Sequence, residues 1–421
     1  MNNQFIKQLI NNKFTTQSIV LLLSTVLSMI FTIGVNYLLT RILDPVQYGN
    51  YSYIINIFIL AQTLFNFGYF YTICRLISLI DDRKIIREYY CVGLIIWLLL
   101  SIVMCVLLGI YSLTIDDFRD KQILNIFLAI LPLGSVYLFT QFNESVLQGD
   151  NRINLLSVSR LLPRIIFFLC LLFIYLSKKN INLLFVLIVY FCTYIIVYVY
   201  IVRKIRPSFS NLRKNFEKIK DINKVYGFPI YIGSLFAVGT GSFVGIALGL
   251  LSEDNITVGF YNIAQQISIP LSMIPNIIST VLYKRYVSTS RINSKILLIL
   301  LSLCIAIFIC ILLFAKPFIS LVFGEEYLTA IPLLKYMCFG ALSYGIADFF
   351  NKYLLSKGFG VQLRNVSIIV GIIMLLIAYP LIYYWGCYGA AYIKAVTGIV
   401  YIISVSYTHL RAHETLAISY A

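Results

Sequence analysis

The chain has 421 residues, 60% hydrophobic, 15% aromatic and 12% charged, where an ordinary soluble domain is about 25% charged. Lys and Arg number 33 against 17 Asp and Glu, a formal charge of +16. Apolar stretches of about 20 residues recur from Ser18 to His409 with no hydrophilic domain between them, which excludes a water-soluble globular fold and points to a polytopic membrane protein.

Residues 1–16 carry Lys7 and Lys13 but lack the short apolar core and small-residue cleavage site of a signal peptide, so the next stretch reads as a retained first helix. Twelve apolar segments are expected, at roughly 17–40, 51–74, 89–113, 123–143, 153–177, 181–202, 226–251, 258–282, 296–316, 328–350, 364–384 and 387–408. Most are long enough to cross about 30 Å of hydrocarbon. The hairpin between the fifth and sixth is tight, around Ser177 to Asn180.

Loop charge supports this count. The N-terminus and the loops after even segments hold 22 Lys or Arg, and the loops after odd segments hold 6. That bias puts the even loops and both termini in the cytoplasm. The expected fold is therefore all-α, with about 12 transmembrane helices in two six-helix bundles. The longest connector is basic: Arg203 to Lys224 has eight cations against Glu217 and Asp221. The expected division is a bundle at 1–202, a cytoplasmic linker at 203–225, a second bundle at 226–405 and a tail at 406–421. A central basic linker suits two bundles facing each other across a pathway.

Ionisable and amide side chains inside apolar segments are the positions that could carry function, because lone charges in hydrocarbon are costly. In the first half these are Asn36, Arg41, Asn143, Glu144, Arg160 and Arg164. Arg160 and Arg164 are four apart on one helix face, with Pro163 between them to bend it. They either anchor the segment at the interface or line a cavity. Arg41 either snorkels to the outer interface or faces a cavity, and Asn36 is as readily a packing hydrogen bond between helices. The second half offers Lys335, Asp348 and Lys394. Clustered cavity cations would attract phosphate or diphosphate. Pro229, Gly239, Gly241, Pro270 and Pro275 suit either a moving gate or close static packing.

Other chemistries find little support. Nine cysteines lie mostly in apolar runs with no CxxC pair, as small buried hydrophobes do. No phosphate-binding loop, metal-spaced acidic cluster or large external loop is present, so neither an enzyme, a metal site nor a cofactor is expected beyond coupling to a proton or sodium gradient. Nucleic acid is not expected as a partner, since topology already explains the basic charge. The stretch SYTHLRAHET, Ser406 to Thr415, departs abruptly from the preceding composition. It resembles a peptide translated from sequencing-adapter read-through, so His409 and His413 are given no role.

Four fragments carry a family resemblance. They are Arg41, Leu43, Pro45, Tyr48, Gly49 and Tyr51 in R-x-L-x-P-x-x-Y-G-x-Y; Gln148 to Arg152; Val258 to Ala264; and Phe323 to Tyr327. Together they resemble bacterial polysaccharide and O-antigen repeat-unit flippases of the multidrug/oligosaccharidyl-lipid/polysaccharide exporter superfamily, over about Thr16 to Val405. The resemblance implies two six-helix bundles around a V-shaped central cavity in the bacterial inner membrane. It also implies a transporter that exports an undecaprenyl-diphosphate-linked oligosaccharide without covalent change. Glycosyltransferases and a polymerase would work before and after it, and membrane lipids would surround it. The alternatives are a cation-coupled multidrug antiporter of the same superfamily, which should be more acidic, and a membrane polysaccharide polymerase or ligase, which should have a larger external loop.

Overall fold

The computed structural model describes residues 13–178, 181–235, 240–288, 292, 294–357 and 359–419, and every regular element in them is helical. In chain order these are α1 (Lys13–Ile42), α2 (Pro45–Leu64), α3 (Tyr69–Ser78), α4 (Arg83–Thr114), α5 (Leu124–Ile130), α6 (Ser135–Gly149), α7 (Ile153–Leu176) and α8 (Leu183–Ile205). There follow α9 (Leu212–Ile222), α10 (Phe228–Ser234), α11 (Thr240–Leu251), α12 (Ile256–Ser288), α13 (Ser294–Val322) and α14 (Ile331–Ser356). The last stretch, 360–419, is two helices that meet at Gly386, where φ is 52° and ψ −129°. They are α15 (360–385) and α16 (387–419).

Eight stretches among the described residues are long and apolar enough to cross a membrane, or nine if the bent pair α2 and α3 is one span. The chain is thus an all-α, multi-pass membrane protein. The expected twelve segments differ from this set for local reasons. The second is broken: α2 and α3 meet at 60°, with Phe67 and Gly68 at positive φ between them. The seventh contains the 12-residue α11 and residues 236–239, outside those described. The eighth lies in α12, whose apolar run is interrupted by Asn262, Gln265, Gln266 and Asn276. The last two form one stretch, Val361–Thr408, broken at Gly386. The fifth and sixth are α7 and α8. The Asn182 side chain caps α8 by accepting the Phe185 N–H at 3.1 Å, which supplies a partner to one of the orphan donors at the helix start.

The surface is inverted relative to a soluble protein. Leu313, Leu321, Leu376 and Phe173 are each at least 70% exposed, as helices facing lipid require. Lipid tails are as apolar as leucine, so helix packing here rests on close fit and interhelical hydrogen bonds.

The residues cluster into two compact units, one of 1–44 with 58–232 and the other of 45–57 with 233–421. Helix α2 contributes to both. In the first unit, Phe58 is fully buried and stacks with Phe127 and Tyr137 at 5.5 and 5.9 Å between ring centroids, with Phe191 edge-on at 5.6 Å. Helix α1 packs on α7 through Phe31 and Phe168 at 5.5 Å. Such pairs contribute about 0.5–1.5 kcal/mol each beyond simple burial. In the second unit small residues bring backbones together. A Cβ on Gly340 would lie 2.6 Å from the Lys394 carbonyl oxygen, and one on Gly345 would lie 2.6 Å from that of Leu271.

Residues 203–225 are ordered as a strap on the first unit. After α8 the Ser208 N–H donates to the Arg87 carbonyl at 2.9 Å, and Arg87 Nε donates to the Arg206 carbonyl at 2.5 Å. The buried Glu88 carboxylate then accepts Asn211 Nδ2 at 3.0 Å and Asn215 Nδ2 at 2.9 Å. Helix α9 buries Asn215 and Ile219 on this side and exposes Arg213, Lys214 and Lys218 on the other. A π-helical turn, Asn223–Gly227, ends the strap. There Thr72 Oγ1 donates to Asn223 Oδ1 at 2.9 Å and Arg75 lies 4.1 Å over the Tyr226 ring.

Candidate functional site

In the first unit, α6 and α7 carry four of the expected site residues. Arg160 Nε donates to Glu144 Oε1 at 2.8 Å. Each side chain keeps about a third of its surface exposed, 33% for Arg160 and 37% for Glu144, so the pair is reachable. Arg164, one turn on, donates to the Ser28 hydroxyl of α1 and to the Arg160 carbonyl at 3.3 Å. Helix α7 continues through Pro163.

A tyrosine column on α8 adjoins this pair. Tyr190 and Tyr194 stand 5.0 Å apart, and Tyr194 and Tyr198 5.9 Å. Tyr190 and Tyr137 hydroxyls lie 2.9 Å apart, and Tyr198 and Thr140 hydroxyls 2.6 Å. Two guanidiniums, one carboxylate and a hydroxyl-bearing aromatic wall are therefore gathered in one unit. Their net positive charge suits an anion.

Asn143 deepens this picture. It is 1% exposed, yet neither its Nδ2 nor its Oδ1 finds a partner among the described residues. Leaving such a group unpaired costs about 1–3 kcal/mol, so hydrogen-bonding capacity stays open beside Glu144. Gln62 Oε1, Asn66 Oδ1 and Gln141 Oε1 are likewise buried without partners. Ranking positions by charge passes over these three in the sequence. Amides within apolar helices are the signal that finds them.

Two expected positions stand apart. Asn36 is buried and donates to the Thr32 carbonyl of its own helix at 2.7 Å. Arg41 is exposed in the last turn of α1, 5.7 Å over the Tyr37 ring.

The second unit builds a different cluster from α12, α14 and α16. Asp348 Oδ1 accepts the Tyr401 hydroxyl at 2.9 Å, and Oδ2 accepts Asn276 Nδ2 at 3.5 Å. Asn351 Nδ2 donates to Tyr401 at 2.8 Å. Lys394 Nζ lies 4.5 Å over the Tyr344 ring, and that ring's centroid stands 5.4 Å from that of Tyr401. Asp348 and Lys394, 46 positions apart, thus meet the same pair of tyrosines, Tyr401 and Tyr344. Lys335 is exposed and lies 4.7 Å over Tyr336, 13 residues before Asp348, or about 20 Å along the helix. Of the expected gating positions, Pro229 is in α10, Gly241 in α11, and Pro270 and Pro275 inside α12; Gly239 lies outside the described residues. The histidines at 409 and 413 have side chains outside those described. No group of three or more His, Cys, Asp or Glu suited to a metal occurs among the described residues.

The resemblance fragments prove to be structural joints. In the second unit, Tyr48 meets Tyr327 edge-on at 5.7 Å, and Phe260 meets Tyr327 at 6.0 Å. A Cβ on Gly49 would overlap the Asn255 backbone, while Asn255 Nδ2 donates to Asn50 Oδ1 at 2.8 Å. Three fragments distant in sequence therefore converge. The fourth makes Asp150 a node in the first unit: it takes Arg83, Tyr90 and, at 2.5 Å, Arg152 Nε.

The profile of a family described as "Polysaccharide biosynthesis protein" matches residues 14–283. No curated protein sequence matches the chain. Among solved structures, the chain is similar to "Lipid II flippase MurJ, inward closed conformation", with TM-score 0.74, 15% identity, and coverage of 93% of this chain and 87% of that one. It is also similar to an inward-facing multidrug resistance MATE family transporter of the MOP superfamily, with TM-score 0.66, 13% identity, and coverage of 94% and 99%. A third is the MATE multidrug transporter DinF-BH, with TM-score 0.66, 15% identity, and coverage of 98% and 97%. At these identities the likeness is one of fold alone.

Proposed function

Because the chain belongs to the polysaccharide biosynthesis protein family, we propose that this transporter flips an undecaprenyl-diphosphate-linked oligosaccharide from the cytoplasmic to the outer leaflet of the bacterial inner membrane for surface polysaccharide synthesis. The observation that carries the reading is the reachable Arg160–Glu144 pair, with Arg164 beside it and the tyrosine column alongside. Guanidiniums bind phosphate oxygens in a bidentate fork. The partly exposed Tyr190 and Tyr194 rings offer the faces that sugars use. Glu144 holds Arg160 in place while the site is empty, and the arriving diphosphate takes over that guanidinium.

The twelve-helix, two-bundle plan with cytoplasmic termini belongs to the same proposal. So do Arg41, Lys335 and Lys394 as further diphosphate contacts, and Pro229, Gly239, Gly241, Pro270 and Pro275 as the places where helices bend during transport. The Asp348 network supports coupling to a proton or sodium gradient, since a carboxylate held by Tyr401 and Asn276 has the donors and charge to exchange one cation for another. Glycosyltransferases that build the repeat unit and a polymerase that consumes it are the partners this role implies.

The test is translocation of a defined polyprenyl-diphosphate-linked oligosaccharide in proteoliposomes holding the purified chain, beside a cationic drug. Protein-dependent appearance of the sugar in the opposite leaflet establishes the reading. A second reading, cation-coupled drug export, draws on the likeness to multidrug transporters. Drug movement without sugar movement would favour it.

A further inference from the structure

A groove of about 660 Å³ opens on the first unit between α4, α6 and α8, within the range of about 300–1,000 Å³ typical of ligand sites. Leu94, Leu98, Phe139 and Val199 are among its walls. Leu98 and Val199 are 52% and 45% exposed, so the groove faces the hydrocarbon. Polar groups are few. The Ser135 carbonyl is taken by Trp97 Nε1 at 3.1 Å, and the Tyr198 hydroxyl is engaged with Thr140.

One end differs. Arg203, in the last turn of α8, and Phe209, in the strap, both line the groove. Arg203 is exposed, and no carboxylate pairs with it among the described residues. An apolar slot with one open guanidinium at its rim matches an amphiphile with a hydrocarbon tail and an anionic head. From Ile195 to Arg203 is eight residues, or about 12 Å of helix, the depth of much of one leaflet. On the reading that the basic loops are cytoplasmic, Arg203 lies at the level of the inner-leaflet phosphates, where anionic headgroups gather basic side chains.

We infer that this groove is a binding site for an anionic phospholipid of the inner leaflet, with one acyl chain between α4, α6 and α8 and the headgroup phosphate on Arg203. The occupant is a resident lipid rather than the transported one. The volume takes acyl chains but only part of a long polyprenol, and the Ser135 carbonyl and Tyr198 hydroxyl in its walls are already engaged within the protein. Lodged there, the lipid ties the strap at Phe209 to the three helices beneath it.

Trp97 lies in the groove and reports directly on its occupant. The only other tryptophan is Trp385, which Trp385→Phe removes. The full chain carrying that change, in nanodiscs, is titrated with phosphatidylglycerol or phosphatidylcholine brominated on one acyl chain, and quenching of Trp97 is read. The proposal expects phosphatidylglycerol to quench at about ten-fold lower mole fraction, the scale of one charge-assisted hydrogen bond. Arg203→Gln should abolish that preference, while Lys204→Gln, an exposed cation next in sequence that does not line the groove, should keep it. Equal quenching by the two lipids overturns the proposal and leaves ordinary annular lipid. Equal effects of the two substitutions overturn it in favour of diffuse surface charge. Displacement of the brominated lipid by an unlabelled polyprenyl phosphate overturns it in favour of the transported lipid. None of these outcomes depends on the flipping assay, so the two readings fail separately.

Discussion

Arg160 on α7 and Glu144 on α6 are bound at 2.8 Å, with 33% and 37% of their side chains exposed. A pair so exposed contributes little to stability, about 0–1 kcal/mol, so its role is better sought in what it presents. With Arg164 and the tyrosines beside it, the pair presents a displaceable guanidinium.

Arg160→Ala should therefore lower the rate of lipid-linked oligosaccharide translocation by about ten-fold or more, the scale of a lost charge-assisted hydrogen bond, with membrane abundance unchanged. Glu144→Gln should preserve transport better, because it frees the cation. Parallel losses of abundance and transport in Arg160→Ala would assign the residue to structure.

Asp348→Asn keeps the shape of the network with Tyr401 and Asn276 and removes its charge. Gradient-driven transport should fall to the rate seen without a gradient, while exchange of labelled substrate at equilibrium continues. Proteoliposomes with and without an imposed proton or sodium gradient separate the two. An unchanged response to the gradient would remove Asp348 from coupling.

Glu88 holds the strap through two asparagines. Glu88→Ala leaves both amides without their acceptor, at a cost of about 1–3 kcal/mol per unpaired group. Limited proteolysis should then cut between Phe209 and Lys220 several times faster. The same cutting rate as the parent chain would mean that the Arg87 and Asn223 contacts suffice.

Gly49 admits no side chain, because a Cβ there overlaps the Asn255 backbone. Gly49→Val should reduce folded yield and lower Tm sharply, as overpacking of a well-filled interior does, by about 1–3 kcal/mol or more. Thermal unfolding followed by fluorescence-detected size exclusion is the check. A parent-like Tm would show that α2 shifts away without penalty.

Contacts between residues far apart in the chain account for most of what local sequence does not show. The basic run from Arg203 to Lys224 looks like a free linker because its charges dominate the composition. Its docking depends on Glu88, a single acid more than 100 positions earlier, whose two acceptor oxygens meet Asn211 and Asn215. Asp348 and Lys394 are each visible as ionisable residues in apolar segments. Their shared pair of tyrosines, Tyr401 and Tyr344, comes together only where α14 and α16 pack at Gly340 and Gly398. The pair Arg160 and Arg164 is legible from spacing alone, since a four-residue interval returns to the same helix face.

By itself the sequence determined the membrane setting, the helical class and the positions of the costly polar groups. These follow from local quantities: apolar run length against bilayer thickness, charge between runs, and the desolvation cost of an ion in hydrocarbon. Tertiary structure alone decided which polar groups are paired and which stay open. Glu144 on Arg160, Ser28 on Arg164, and Asn143 without a partner among the described residues are outcomes of helix packing. Packing also turned the fragments around Tyr48, Phe260 and Tyr327 into one joint, because close contact between side chains is set by the meeting of helix surfaces, which no single helix encodes.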